Sequence, residues 1–163
     1  VDIVDRATRS RMMSGIRGRD TKIELVVRKA LHARGLRYRL HNRMLPGRPD
    51  MAFSGAKAVI FMNGCFWHGH DCPFFRLPAS NTEFWQAKIE ANRVRDVRSL
   101  EALHALGWRT AVVWECSIRN RPMEGFVDLL DQLEEWIRKG SGNLDLRGPL
   151  SDVLSANPVR KEI

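Results

Sequence analysis

Three cysteines constrain this chain more than any other feature. Cys65 and Cys72 lie in one short stretch, "NGCFWHGHDC" (63–72), which also holds His68 and His70. Cys116 lies far downstream, at the end of "WRTAVVWEC" (108–116). A fold that lets all three meet must bring that loop to the end of that strand. Three Cys and one His make a closed tetrahedral zinc set, and it uses every cysteine of an odd number. Four protein ligands leave no open position, so such a zinc holds shape rather than doing chemistry. Spacing leaves the histidine ligand open between His68 and His70. The plainer alternative is three small buried cysteines beside surface histidines. The odd count also argues against a stapled secreted domain and for the reducing cytosol.

The rest of the chain reads as alternating helices and strands. Residues 1–20 form a basic arm with little apolar periodicity. In "TKIELVVRKALHARG", Thr21 and Glu24 make a capping-box pattern, and apolar residues at helical spacing predict a helix over 21–34. "LRYRL" (36–40) alternates as a half-exposed strand. "LPGRPDMAF" (45–53) enters a strand through a Pro-Gly turn, "SGAK" (54–57) reads as a hairpin turn, and "AVIFM" (58–62) as a strand buried on both faces. Asn81 or Thr82 caps a long helix that Gly107 ends. After the strand at 108–116, an amphipathic helix over 124–140 turns Phe126, Leu129, Leu130, Leu133, Trp136 and Ile137 inward. Residues 141–163 lack periodicity and are expected to be a loose tail. This order predicts one α/β domain over 21–140, a mixed sheet with helices on its faces, and 44% hydrophobic residues suffice for its core.

Lys and Arg number 27 against 19 Asp and Glu, a formal charge of +8, mostly from Arg. Arg suits bidentate phosphate contacts, so the balance points to nucleic acid. No apolar run is long enough to span a membrane, and no leader of the secretory kind opens the chain.

Asp50 follows Pro49 at the start of a strand. A Pro-Asp pair before a hairpin resembles the PD-(D/E)xK nucleases, yet "FMNG" stands where their acid-x-Lys would be. Taken alone, Asp50 is a turn carboxylate and Glu24 a capping residue. The wider pattern is more specific. "LPGRPD", an apolar strand into "GCFWHGH-x-C", then "TEFW-x2-KI-x2-N-x2-RD" and "GWR-x4-WEC" resemble the very-short-patch-repair (Vsr) endonucleases, from about Ala7 to Ile137.

The resemblance implies a restriction-endonuclease-like fold with a structural zinc on Cys65, His70, Cys72 and Cys116, which makes His68 the catalytic histidine. It implies Mg²⁺ on Asp50 and on the backbone carbonyl of Met62, where the family pattern has Thr. It gives Glu24 a contact to metal-bound water and places a second acid at Asp96. The family partner of that acid is a His, and here the position is Asn63, which cannot carry a proton charge. Phe66 and Trp67 match aromatics that wedge into the duplex, assisted by Trp85, and Met13 matches an apolar residue on the minor-groove side. The alternative for these rings is a core role. The implied activity is a nick 5′ of the T in a T·G mismatch left by deamination of 5-methylcytosine. The implied setting is the bacterial cytoplasm, at the nucleoid, as a monomer on double-stranded DNA, with other repair factors left open as partners. Two further readings share these residues: a nicking or defence nuclease for other modified or unmodified duplexes, and a non-catalytic zinc-stabilised DNA-binding module. Asp50, Glu24 and His68 together argue against the last.

Overall fold

Two six-residue strands, largely buried on both faces, set the architecture. The computed structural model describes residues 20–148, together with residues 5, 7 and 8. The elements are α1 (Lys22–Ala33), β1 (Arg39–Leu40), β2 (Met51–Phe53), β3 (Ala58–Asn63), α2 (Thr82–Ala105), β4 (Arg109–Trp114), α3 (Met123–Lys139) and β5 (Leu144–Leu146), with short 3-10 turns at Ser54–Ala56 and Glu115–Ser117. The five strands lie in the order β1-β2-β3-β4-β5. β1, β2 and β3 pair antiparallel, and β4 runs parallel to both β3 and β5. The expected mixed α/β sheet is present.

Successive strand residues point to opposite faces. Met51, Phe53, Ala58, Ile60, Ala111 and Val113 therefore pack beneath α1 and α3, against Val27, Leu31, Leu129, Leu133 and Trp136. Ala52 and Val59 point the other way, against Leu103 of α2 and the flanking Phe61 and Trp108. Helices on both faces explain why β3 and β4 read as continuous apolar runs. Thr21 caps α1, its hydroxyl oxygen accepting the Glu24 N–H at 3.3 Å. The guanidinium of Arg109 closes α3, donating to the carbonyls of Trp136 (2.7 Å) and Ile137 (3.1 Å), where the helix dipole favours a cation.

Three boundaries differ from the sequence reading. β5 lies inside the stretch expected to be tail, held by the Trp114 indole N–H on Asp145 (2.7 Å) and by Asn143 accepting the Thr110 N–H (3.1 Å). Three residues of strand are too short to show a period. β1 shrinks to two residues, because Leu36 turns back to bond Leu31. Asn81 precedes α2 but makes no side-chain cap, and the Thr82 hydroxyl donates instead to the carbonyls of Pro78 and Ala79. Most of the basic arm, Met13 included, and residues 149–163 lie outside the described residues. Among the described residues no helix is long and apolar enough to cross a membrane.

Candidate active site and metal centre

Parallel register brings the cysteines together. Asn63, the last residue of β3, pairs with Trp114, the last of β4. Cys65 and Cys116 each follow two residues later, so both reach the same end of the sheet. The intervening loop folds back to add His70 and Cys72, and the ligand atoms of all four lie within 4.8 Å of one another. His70 Nδ1 stands 3.5 Å from Cys65 Sγ and 3.4 Å from Cys116 Sγ. Its ring stacks on Trp114 at 4.0 Å, which fixes the nitrogen toward the sulfurs. Backbone N–H groups of Cys116 and Gly148 donate to the Cys65 and Cys116 sulfurs at 3.3 and 3.2 Å. Burial pushes the Cys65 thiol far above its ordinary range and raises that of Cys116 as well. Burial also lowers the basicity of His70, with Arg147 adding to it. Thiols so buried ionise readily only against a cation, and three sulfurs with one imidazole are the donor set zinc takes. The residues fit a metal, and zinc suits them. His68 points elsewhere, so the histidine left open by spacing is His70.

His68 faces helix α2, where its Nδ1 lies 2.5 Å from Asp96 Oδ2. With the carboxylate accepting, Nδ1 is the donor of this pair, and Nε2 is the ring nitrogen left for other partners. Gly69 permits this approach: its φ is +58°, and a Cβ there would meet Ile89 of α2 at 2.6 Å. Gly47 does the same for the "LPGRPD" turn, where a Cβ would meet Ser99 at 2.7 Å. Asp50, Met62, Asn63, His68 and Asp96 therefore line one cleft of about 180 Å³, together with Arg48. Asn63 is almost fully buried there.

Asp50 Oδ2 accepts the Met62 backbone N–H at 2.7 Å. Burial pushes this carboxyl up to about 6 and the charge of Glu24 adds to the rise, while the Met62 N–H and the nearby His41 and His68 oppose it. A carboxylate so reluctant to ionise, beside the buried Glu24, favours a cation. Glu24 is buried at the base of α1, where Oε2 accepts the Asp20 N–H (2.7 Å) and Oε1 lies 3.3 Å from Arg28. Hard oxygen donors suit Mg²⁺ better than a softer metal.

Phe66, Trp67 and Trp85 lie outside both core clusters. Phe66 meets Trp67 and Trp85 edge-on, at 5.1 and 5.4 Å between centroids. All three are half-buried, and Lys88 Nζ lies 5.6 Å from the Trp67 ring and 5.7 Å from that of Trp85. Beside them runs an open groove of about 990 Å³ lined by Lys22, Arg48, Trp67, Lys88, Asn92 and Arg95, with His68 and Asp96 on its wall. The structure thus brings together every candidate among the described residues; Met13 lies outside them.

Two groups were not singled out from the sequence. Lys88, Asn92, Arg95 and Ser99 share one face of α2, and their i, i+4, i+7 spacing would have revealed them. His41 lies between Glu24 and Asp50, and no motif marks it.

A family model described as DNA mismatch endonuclease Vsr matches residues 1–73. The chain is 44% identical over 149 residues to the DNA mismatch endonuclease Vsr of Escherichia coli, covering 90% of this chain and 96% of that protein. The chain belongs to the Vsr DNA mismatch endonuclease family. Its class is that of the DNA endonucleases, hydrolases that nick DNA. It is also 49% identical over 109 residues to the type II nicking enzyme V.XorIIP of Xanthomonas oryzae pv. oryzae (67% of this chain, 80% of that protein). For V.NmeAIP of Neisseria meningitidis, another type II nicking enzyme, the identity is 42% over 120 residues (74% and 86%).

Proposed function

We propose that this Vsr-family protein nicks one strand of duplex DNA 5′ of the T in a T·G mismatch, in the bacterial cytoplasm, as a monomer. The observation that carries the reading is the pairing of His68 with Asp96 in the same cleft as Asp50, beside the half-buried rings of Phe66, Trp67 and Trp85.

Asp50 and the Met62 carbonyl would hold Mg²⁺, and Glu24 would bond its water. When bound, the ion supplies charge against the phosphate oxygens and a more acidic water. His68 takes the proton of the attacking water at Nε2 as the water oxygen bonds phosphorus. The bond from phosphorus to the 3′-oxygen breaks and that oxygen takes a proton from solvent, while Asp96 holds the ring by Nδ1 and steadies the imidazolium that results. Zinc on Cys65, His70, Cys72 and Cys116 fixes the loop, so His68 and the adjacent aromatic pair keep one relative position. The rings enter the duplex beside the mismatch. Unstacking a base step costs a few kcal/mol, and a mismatch lowers that cost, so wedging favours damaged over intact DNA. Lys22, Arg48, Lys88 and Arg95 follow the phosphates along the groove. Met13 belongs to the same contact on the minor-groove side.

A single-turnover nicking panel tests this reading, with Mg²⁺ and duplexes carrying T·G, G·C or methylated pairs. Cleavage confined to the T strand of T·G is expected. Equal cleavage of G·C would assign the site to a nuclease for ordinary duplexes. No cleavage of any duplex with Mg²⁺ would point to a binding module.

A further inference from the structure

One imidazole reaches both acids, the buried Glu24 and the partly buried Asp50. His41 Nε2 stands 3.3 Å from Glu24 Oε1, and His41 Nδ1 stands 3.7 Å from Asp50 Oδ1. The ring is held from its backbone. His41 has a φ of +45°, a conformation uncommon for a bulky residue, and its N–H donates to the Asp50 carbonyl at 3.2 Å. Nε2 is buried and makes no hydrogen bond, although Glu24 lies within reach. A buried polar atom without a partner is costly, and such strain persists where the surroundings over-determine it. Here the surroundings are three carboxylates: Glu24 and Asp50, and Asp20, whose Oδ1 lies 3.6 Å from Nε2.

Asp20, Glu24 and His41 also place their ligand atoms within 4.8 Å of one another. A separate metal there meets an obstacle. Arg28 already lies 2.6 Å from Asp20 and 3.3 Å from Glu24, so its guanidinium fills that side. The side of His41 that faces Asp50 is different, because it leads to the cleft.

We infer that His41 is a positioning residue for the catalytic cation: its ring spaces and orients Glu24 and Asp50 so that both carboxylates serve one divalent ion. Whichever ring nitrogen carries the proton finds a carboxylate oxygen nearby. The inference rests on Asp50 as a ligand of that ion.

The test is Mn²⁺ binding to the full-length, zinc-loaded protein, followed by electron paramagnetic resonance, beside single-turnover nicking with Mg²⁺. His41→Ala is expected to weaken Mn²⁺ binding about tenfold, as partners behind metal ligands commonly do, and to slow nicking without changing affinity for DNA. Amides restore a donor, Asn in place of Nδ1 and Gln in place of Nε2, so at least one of His41→Asn and His41→Gln is expected to recover binding. His41→Leu, which keeps bulk without a nitrogen, repeats the test should His41→Ala not fold. Wild-type Mn²⁺ affinity in the nitrogen-free variant overturns the inference, as does equal loss in Ala, Asn and Gln. Asp50→Asn is the control. If it too binds Mn²⁺ normally, the assignment of Asp50 fails rather than the role of His41.

Discussion

His68 Nδ1 and Asp96 Oδ2 stand 2.5 Å apart, joining the cysteine-bearing loop to helix α2 at the cleft that holds Asp50. The contact fixes which ring nitrogen is free, so its loss acts on rate before affinity. Asp96→Asn is expected to lower the single-turnover nicking rate about 100-fold, within the range of acid–base contributions, while DNA affinity stays within about twofold. Rates at saturating protein and gel-shift affinities check this together. An unchanged rate removes Asp96 from the machinery.

Asp50 is the partly buried acid whose ionisation the fold opposes. Its carboxyl sits at about 6 against an ordinary 3.8. Between these values the folded state holds a proton that the unfolded state has released. Stability contributed by this group is therefore present below about 4 and lost as pH rises toward 6. The loss is on the order of 3 kcal/mol. Asp50→Asn is expected to abolish nicking and yet to raise the melting temperature of magnesium-free, zinc-loaded protein at pH 8. At pH 4 it leaves that temperature nearly unchanged. A variant that melts lower at pH 8, or nicks above about a tenth of wild type, contradicts the metal role, since cation stabilisation is worth several kcal/mol.

Most of this centre was legible because its residues lie in short blocks. The loop from Cys65 to Cys72 announces ligands by type, and β3 and β4 announce themselves by apolar runs. What spacing left open was geometry. Only the fold turns His70 toward the sulfurs and His68 toward Asp96, 28 positions away. β5 was hidden because Leu144–Leu146 is too short for a pattern and takes its pairing from β4. His41 was hidden because its role depends on two acids from different elements, one on α1 and one at the start of β2.

Cys116 is the member of the cysteine–histidine group that ties the loop to the sheet. Cys116→Ser is expected to lower bound zinc from one equivalent per chain and to reduce the melting temperature, because metal binding contributes to folding. Metal analysis of protein purified without chelator, beside a thermal melt, checks both. Zinc absent from the wild type would refute the assignment outright.

Trp67 belongs to a half-buried ring cluster and to neither core. Truncating a core Trp costs about 3–5 kcal/mol. Trp67→Ala is expected to shift stability much less than that and to lower the preference for T·G over G·C about tenfold or more, from the few kcal/mol of an unstacked step. A large fall in melting temperature with selectivity intact would return the ring to a structural role.

Asn63 ends β3 in the cleft of His68 and Asp96, at a position where the family pattern has His. An amide bonds phosphate or carboxylate but takes no proton at working pH. In the proposed mechanism His68 is then the main protein base. With saturating Mg²⁺ keeping Asp50 ionised, the acid limb of the nicking rate against pH is expected to show one ionisation. Asn63→His returns an imidazole beside Asp96, which already engages His68. The new ring either shares that carboxylate or faces the phosphate, and in both cases it adds a second ionisation or raises the rate. Single-turnover profiles of wild type, Asn63→His and Asn63→Ala decide the matter. If the three superimpose, Asn63 does no chemistry, and its burial at the end of β3 only holds the strand where the loop to Cys65 begins.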